Sequence, residues 1–206
     1  GFSANKLSVA ENSLTNEFRV LPEEKKGNKN GILFVGRLRE SCNIMLLVSV
    51  MTKIRELDKI DLSLHIIGSG DSMDSKLLRE FAGKNAWVHL HGELYEQKEI
   101  QKISRGCFIG CYPGNAGLSV VHMMSLSLPP VAHDRIDLHE GPEPSYIKNG
   151  YNGMLFKYSD AEDLCSIIRH LHASPEDLSR LRKNAFEDYT KLVNPSFAER
   201  IMNIIE

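Results

Sequence analysis

The chain has 206 residues, 42% of them apolar, with 25 Lys+Arg against 27 Asp+Glu and a formal net charge of −2 at pH 7. That is enough chain and enough apolar content for one large or two small globular domains, and a near-neutral balance with no basic stripe argues against nucleic acid as a partner. No apolar run approaches the ~20 residues needed to cross a bilayer, and no secretory leader is recognisable. Residues 1–30 are polar, lack sustained periodicity and close on EEKKGNKN (23–30), which reads as a linker or the end of an upstream domain; a first residue of Gly rather than Met fits a piece of a longer chain.

From residue 31 to 206 the chain reads as one domain of regular alternation. GILFV (31–35) is a strand, followed by an apolar helix from about Asn43 to Leu57. LSLHII (62–67) is a second strand that ends in Gly68-Ser69-Gly70 and leads to an amphipathic helix from about Met73 to Phe81. WVHLHG (87–92) is a third strand, with a polar helix from Gln97 to Arg105 after it. Then come a buried strand at Cys107–Cys111, a loop at Pro113–Gly117, a largely apolar helix at Leu118–Leu126, a Pro-Pro break, a strand at Val131–His133 and a short strand GMLF (153–156). Short apolar strands separated by helices predict right-handed βαβ units: an α/β, Rossmann-like doubly wound parallel sheet with helices on both faces.

The C-terminal part reads as helical. Ser159 with Glu162 has the spacing of a capping box ahead of Leu164, Ile167, Ile168 and Leu171. Ser174-Pro175 starts another helix, and Asn194-Pro195 a third, whose Phe197, Ile201, Ile204 and Ile205 form an apolar stripe. The four cysteines (Cys42, Cys107, Cys111, Cys165) contain no C-x-x-C pair, so they read as buried thiols of a reduced, cytoplasmic protein rather than zinc ligands.

Ligands of open parallel sheets bind at the carboxyl ends of the strands. Three such ends are suggestive here: Gly36-Arg37-Leu38, Gly68-Ser69-Gly70, and the Gly114–Ser119 loop that runs into a helix carrying Ser119, His122 and Ser125 at spacings of three. Arg37 offers a cationic fork and the loop offers backbone N–H groups, a combination suited to a diphosphate. Gly68-Ser69-Gly70 fails as a dinucleotide fingerprint because Met73 stands where the third glycine belongs. By default His122 is a core histidine. His89 and His91 share a strand face but have no third metal ligand at diagnostic spacing.

Several of these segments together resemble a known family. FVGRL (34–38), HIIGSG (65–70), VHLHGEL (88–94), GLSVVHMMSLSLPPVAHD (117–134) and IKNGYNGMLF (147–156) are similar, in order and content, to the C-terminal half of family 4 glycosyltransferases of the GT-B fold. KLSVAENSLTNE (6–17) is similar to the segment joining that family's two domains. The resemblance implies a metal-free and cofactor-free enzyme, peripheral to a membrane in its full-length form, that transfers a sugar from a nucleotide-sugar donor to a saccharide or lipid-linked acceptor in polysaccharide biosynthesis. This chain would hold the donor, and a missing N-terminal domain the acceptor. It implies donor contacts at Arg37 (diphosphate), Gly92–Leu94 (base), Asn115, Ala116, and the helix start Gly117, Leu118 and Ser119, with His122 one turn on. No catalytic residue is assigned. The pattern departs from the family at three places. Two family glutamates fall on Gly114 and His122, and a family Lys falls on Cys42. Glu140 and Glu143, on a later loop, are the acids left to reach in. These departures also motivate a non-catalytic interaction module, and the general fold admits a sugar-nucleotide epimerase.

Overall fold

The structure is a computed structural model that describes residues 19–25 and 29–205, the side chains of the last three excepted. The segment 6–17 that resembles an interdomain connection lies outside the described residues. Six strands form one parallel sheet: β1 Gly31–Val35, β2 Ser63–Ile67, β3 Val88–Leu90, β4 Cys107–Cys111, β5 Pro130–His133 and β6 Met154–Phe156. Their spatial order is β3-β2-β1-β4-β5-β6, the two-winged order of a Rossmann-like sheet, and every pair is parallel. The order follows from the sequence. GILFV and CFIGC are buried along their whole length, as strands covered on both faces must be, so they take the centre. VHL is buried only at Val88 and falls at an edge.

Among the described residues the α-helices are α1 Ile44–Lys53, α2 Met73–Lys84, α3 Gln97–Arg105, α4 Ser119–Ser125, α5 Ala161–Ala173, α6 Pro175–Val193 and α7 Phe197–Ile205. Helix α1 packs on α2 and α5, and α4 packs on α6. The α-helical bonding of α1 stops at Lys53, four residues short of the expected Leu57. The chain continues as a wider π turn over Ile54–Asp58 and is closed by Lys59 at φ 57°. Helix α2 runs past Phe81 to Lys84, with the Ser72 side chain accepting from Ser75 N–H as N-cap. The start of α5 is a correction. Its cap is Asp160, which accepts from the N–H groups of Glu162 and Asp163, while Ser159 lies outside the helix at φ 60°. A left-handed Ser cannot present its oxygen to the first turn, and the neighbouring carboxylate is the stronger acceptor for the positive helix end.

Residues before β1 join the same core. Val20 is fully buried, its N–H donates to Ser125 O (2.8 Å), and Ser127 Oγ donates to Val20 O (2.5 Å). The four thiols are free and buried; burial raises Cys42 to about 11 and Cys107 to about 12, so they serve as small apolar groups. At the exit of the sheet's central strands the backbones of β1 and β2 nearly touch. A Cβ at Gly68, where φ is 135°, would lie 1.9 Å from Gly36 O, and one at Gly70 would lie 2.1 Å from Leu38 O. The glycines after β2 therefore serve strand-to-strand contact.

Gly68→Ala adds a backbone clash to a left-handed φ, so it should lower unfolding free energy by about 3 kcal/mol. Gly83→Ala, in α2 with nothing within 4 Å of the added methyl, should leave stability unchanged or raise it by about 0.5 kcal/mol. Paired urea melts of the two variants check both.

Candidate functional site

Beyond the carboxyl ends of β1, β2 and β3 lies an open cleft of about 540 Å³, lined by Gly36, Arg37, Ser69, Glu93, Leu94 and Tyr95 among others. A second hollow of about 490 Å³ continues it past Arg37 to Arg39, Ser41 and Ser72. Arg37 belongs to both. Its side chain is exposed and makes no hydrogen bond or ion pair among the described residues, so its five N–H donors face the cleft. Opposite it, Glu93 accepts from Ser69 Oγ and from Tyr95 Oη (2.7 Å). The Ser69 bond, the Tyr95 bond and the field of Arg37 all hold the Glu93 carboxyl below its ordinary value. Tyr95 is 81% exposed and stands at the rim. Gly92 lies two residues past β3 at φ 67°, and its carbonyl accepts from Gly68 N–H (2.7 Å).

The loop after β4 folds over onto the residues that follow β1, across the crevice between β1 and β4. A Cβ at Gly114 would lie 2.1 Å from Ser41 O and 2.6 Å from the Cys42 carbonyl carbon, and Asn115 N–H donates to Ser41 O (2.8 Å). Two positions at which the family pattern is broken, Gly114 and Cys42, are thus in direct contact. The contact exists because the first has no side chain.

The other expected residues sit around this closed loop. Ala116 is buried and held at both ends of its peptide: its N–H donates to His139 Nδ1 (3.0 Å), and its carbonyl accepts from Glu140 N–H (2.9 Å). Since His139 Nδ1 accepts, its Nε2 carries the proton and donates to His133 O (3.1 Å). The His139 ring stacks on His133 at 3.8 Å, and His133 Nε2 lies 3.4 Å from Asn115 Oδ1. Gly117 and Leu118 precede α4, and Ser119 opens it. Ser119 alone of these reaches the Arg37 side: a Cβ on Gly36 would lie 3.3 Å from its Oγ. Helix α4 has only seven residues and no side-chain cap, so its dipole is short and the positive charge of the region rests chiefly on Arg37. His122, on the second turn, is pushed down to about 4 by burial and is neutral at pH 7; a neutral imidazole does not replace a carboxylate.

Two acids do reach in from the loop after β5. Glu140 accepts from Ser41 Oγ (2.8 Å) and pairs with Arg39 at 3.5 Å. Glu143 is 3% exposed and packs its carboxylate at the Gly117–Gly141 junction. Ser69, Tyr95, Arg39, Ser41, His133 and His139 were not singled out individually. The strand-end rule marks Ser69 and Tyr95 by position, but no local pattern announces the rest. His65, His89 and His91 stack on the sheet edge, and among the described residues no group of three or more His, Cys, Asp or Glu side chains is arranged to hold a metal ion.

Gly114→Glu, which puts back the family carboxylate, should destabilise the domain by about 3 kcal/mol rather than improve the site, because its Cβ meets a backbone carbonyl. Thermal melts and nucleotide titration of the variant decide this. Burial, then the neighbouring His139, lowers His133 to about 4, and burial lowers His139 against the opposing effect of its bond to the His133 carbonyl. A depressed native pKa means that the unfolded chain binds more protons in acid. The stability these residues contribute should therefore be full above pH 6.5 and fall as pH drops towards 4. Urea midpoints at pH 7, 6 and 5 should decline, and more shallowly in His139→Gln, whose side chain has no titrating proton.

Comparison with known proteins places this geometry. The family model described as "Glycosyl transferases group 1" matches residues 17–188. No curated protein sequence matches the chain. Among solved structures, the lipopolysaccharide outer core galactosyltransferase WaaB in its apo form aligns at TM-score 0.74 and 18% identity, over 100% of this chain and 57% of that one. Anabaena Alr3699/HepE in complex with UDP aligns at 0.73 and 15%, over 96% and 56%. The G117R mutant of S. aureus TarM, in complex with fondaparinux, alpha-GlcNAc-glycerol and UDP, aligns at 0.69 and 21%, over 96% and 38%. The chain spans little more than half the length of the first two and less of the third. These likenesses show the fold, that of a GT-B C-terminal-type domain. The family match, over most of the chain, makes it a member of the glycosyl transferases group 1 family.

Proposed function

We propose that this chain, with residues 31–206 as its folded domain, is the nucleotide-sugar-binding half of a glycosyltransferase, and that the cleft around Arg37 takes the donor diphosphate. The single observation that carries this reading is the unpaired guanidinium of Arg37 at the end of the central strand, facing an open cleft in a family of sugar transferases. An exposed Arg with no partner is free to form a bidentate, charge-assisted pair with phosphate oxygens. Ser119 lies on the same side, Tyr95 offers a face on which a base can stack, and Glu93 is a ready acceptor for a ribose O–H or a base N–H. HepE and TarM have been solved with UDP, which favours a uridine nucleotide as the first donor to try.

In this reading the diphosphate leaves with Arg37 opposing its developing charge, and no metal is needed for that. Asn115 and Ala116 tie the loop, to Ser41 and to His139, and so set Gly117, Leu118 and Ser119 at the donor's edge. The acceptor, saccharide or lipid-linked, is bound by a further domain, which would carry any catalytic base and bring the protein to the cytoplasmic face of a membrane. One observation favours a second reading, a fold kept for interaction with other proteins. The Gly114 contact leaves no space for one of the two missing carboxylates.

Calorimetric titration of UDP, GDP and their sugar conjugates into the chain separates the two. Donor binding predicts a saturable isotherm, with Arg37→Ala weakening it by about ten- to a hundredfold, the loss of one or two charge-assisted hydrogen bonds. Arg37→Lys should recover little, since an ammonium cannot reproduce the fork. Absence of binding to any nucleotide at millimolar concentration overturns the proposal.

A further inference from the structure

The amino ends of β1 and β4, at the opposite end of the sheet from Arg37, carry a second concentration of positive charge that the donor cleft does not use. A cavity of about 340 Å³ lies there, lined by Lys29, Asn30, Phe108, His172, Leu178 and Arg182, with Pro175 at the start of the 19-residue helix α6 on its wall. Arg182 is 9% exposed. Its one hydrogen bond among the described residues runs from Nη1 to Lys25 O (3.3 Å), and its Nε is buried without a partner. Lys25, 3% exposed, donates to Ser104 O, and burial, with Arg182, Arg105 and Lys29 among the opposing charges, lowers it to about 7. Glu24, beside Lys25 in sequence, is committed to Arg105 at 2.5 Å. No carboxylate pairs with Lys25, Lys29 or Arg182 among the described residues.

This arrangement is costly as it stands. A guanidinium does not escape burial by losing its proton, so a positive charge out of water needs a negative partner. The cavity beside it supplies the room. His172 is oriented by Asn30 (Nε2 to Oδ1, 3.2 Å) and meets the Phe108 ring edge-on at 5.7 Å, giving a wall part polar and part aromatic. The amino end of α6 adds its partial positive charge.

We propose that this cavity is a second ligand site, separate from the donor cleft, that takes the phosphate group of a phosphorylated small molecule or lipid headgroup against Arg182 and Lys29. Its volume suits orthophosphate or a phosphate carrying a short polyol. Orthophosphate and glycerol 3-phosphate are the soluble probes, titrated by calorimetry into the wild-type chain and into Arg182→Gln, Lys29→Glu and Arg37→Ala. The expected result is saturable binding, weakened at least tenfold by Arg182→Gln and by Lys29→Glu and persisting in Arg37→Ala, which removes only phosphate held in the donor cleft. Lys29 is only part-buried, so Lys29→Glu carries the test if Arg182→Gln does not fold. Sedimentation with phosphatidylglycerol vesicles separates the sources: pelleting lost in Lys29→Glu identifies a headgroup, and soluble binding without pelleting a free phosphate ester. The proposal is overturned if neither phosphates nor vesicles bind, if both cavity variants bind as wild type does, or if Arg37→Ala abolishes binding, which would place the phosphate in the donor cleft.

Discussion

The site in this protein depends on one close approach, that of the Gly114 backbone to the carbonyl of Ser41. In a sheet of order β3-β2-β1-β4-β5-β6 the natural crevice lies where the winding reverses, between β1 and β4. Here the loop after β4 closes that crevice. With no Cβ at 114 the two backbones meet, Asn115 N–H finds Ser41 O, and Ser41 Oγ is left to hold Glu140. The open space shifts to the other side of Arg37, between the ends of β1, β2 and β3.

The histidines behind the loop make that closure a single arrangement. His139 accepts from Ala116 and donates to His133 O, which assigns its tautomer, and the stacked His133 ring approaches Asn115. The bond from Ala116 needs a neutral His139 imidazole, with Nδ1 free to accept, and burial supplies it by disfavouring the charged form. A loop that could be a flexible Gly-containing strap is thereby tied at three successive residues.

Charge is distributed in the same economical way. The formal balance is close to zero, yet at both ends of the central strands a cation has no carboxylate partner among the described residues: Arg37 in an open cleft and Arg182 beside a smaller, more enclosed one. The first is exposed and costs little while empty. The second is buried, and there burial without a counter-charge is the informative fact.

Much of the fold was legible from the chain itself. Apolar runs of four to six residues, Gly and Pro punctuation and helical periodicity are local signals, and they located the strands and the helices. Helix ends were less legible. The cap at Asp160 and the π turn after Lys53 depend on which of two adjacent residues takes a left-handed or widened backbone, a choice made by packing. The resemblance to glycosyltransferases marked Arg37, Gly114, Cys42 and His122, but only as residues present or missing. That Gly114 and Cys42 touch, that Ala116 is pinned by His139, and that Arg182 is buried beside a cavity are relations between residues 23 to 157 positions apart in sequence. Local composition therefore determined the elements and the family. Only tertiary packing, which brings distant backbones within contact distance, decided where the cleft opens and which charges are left without partners.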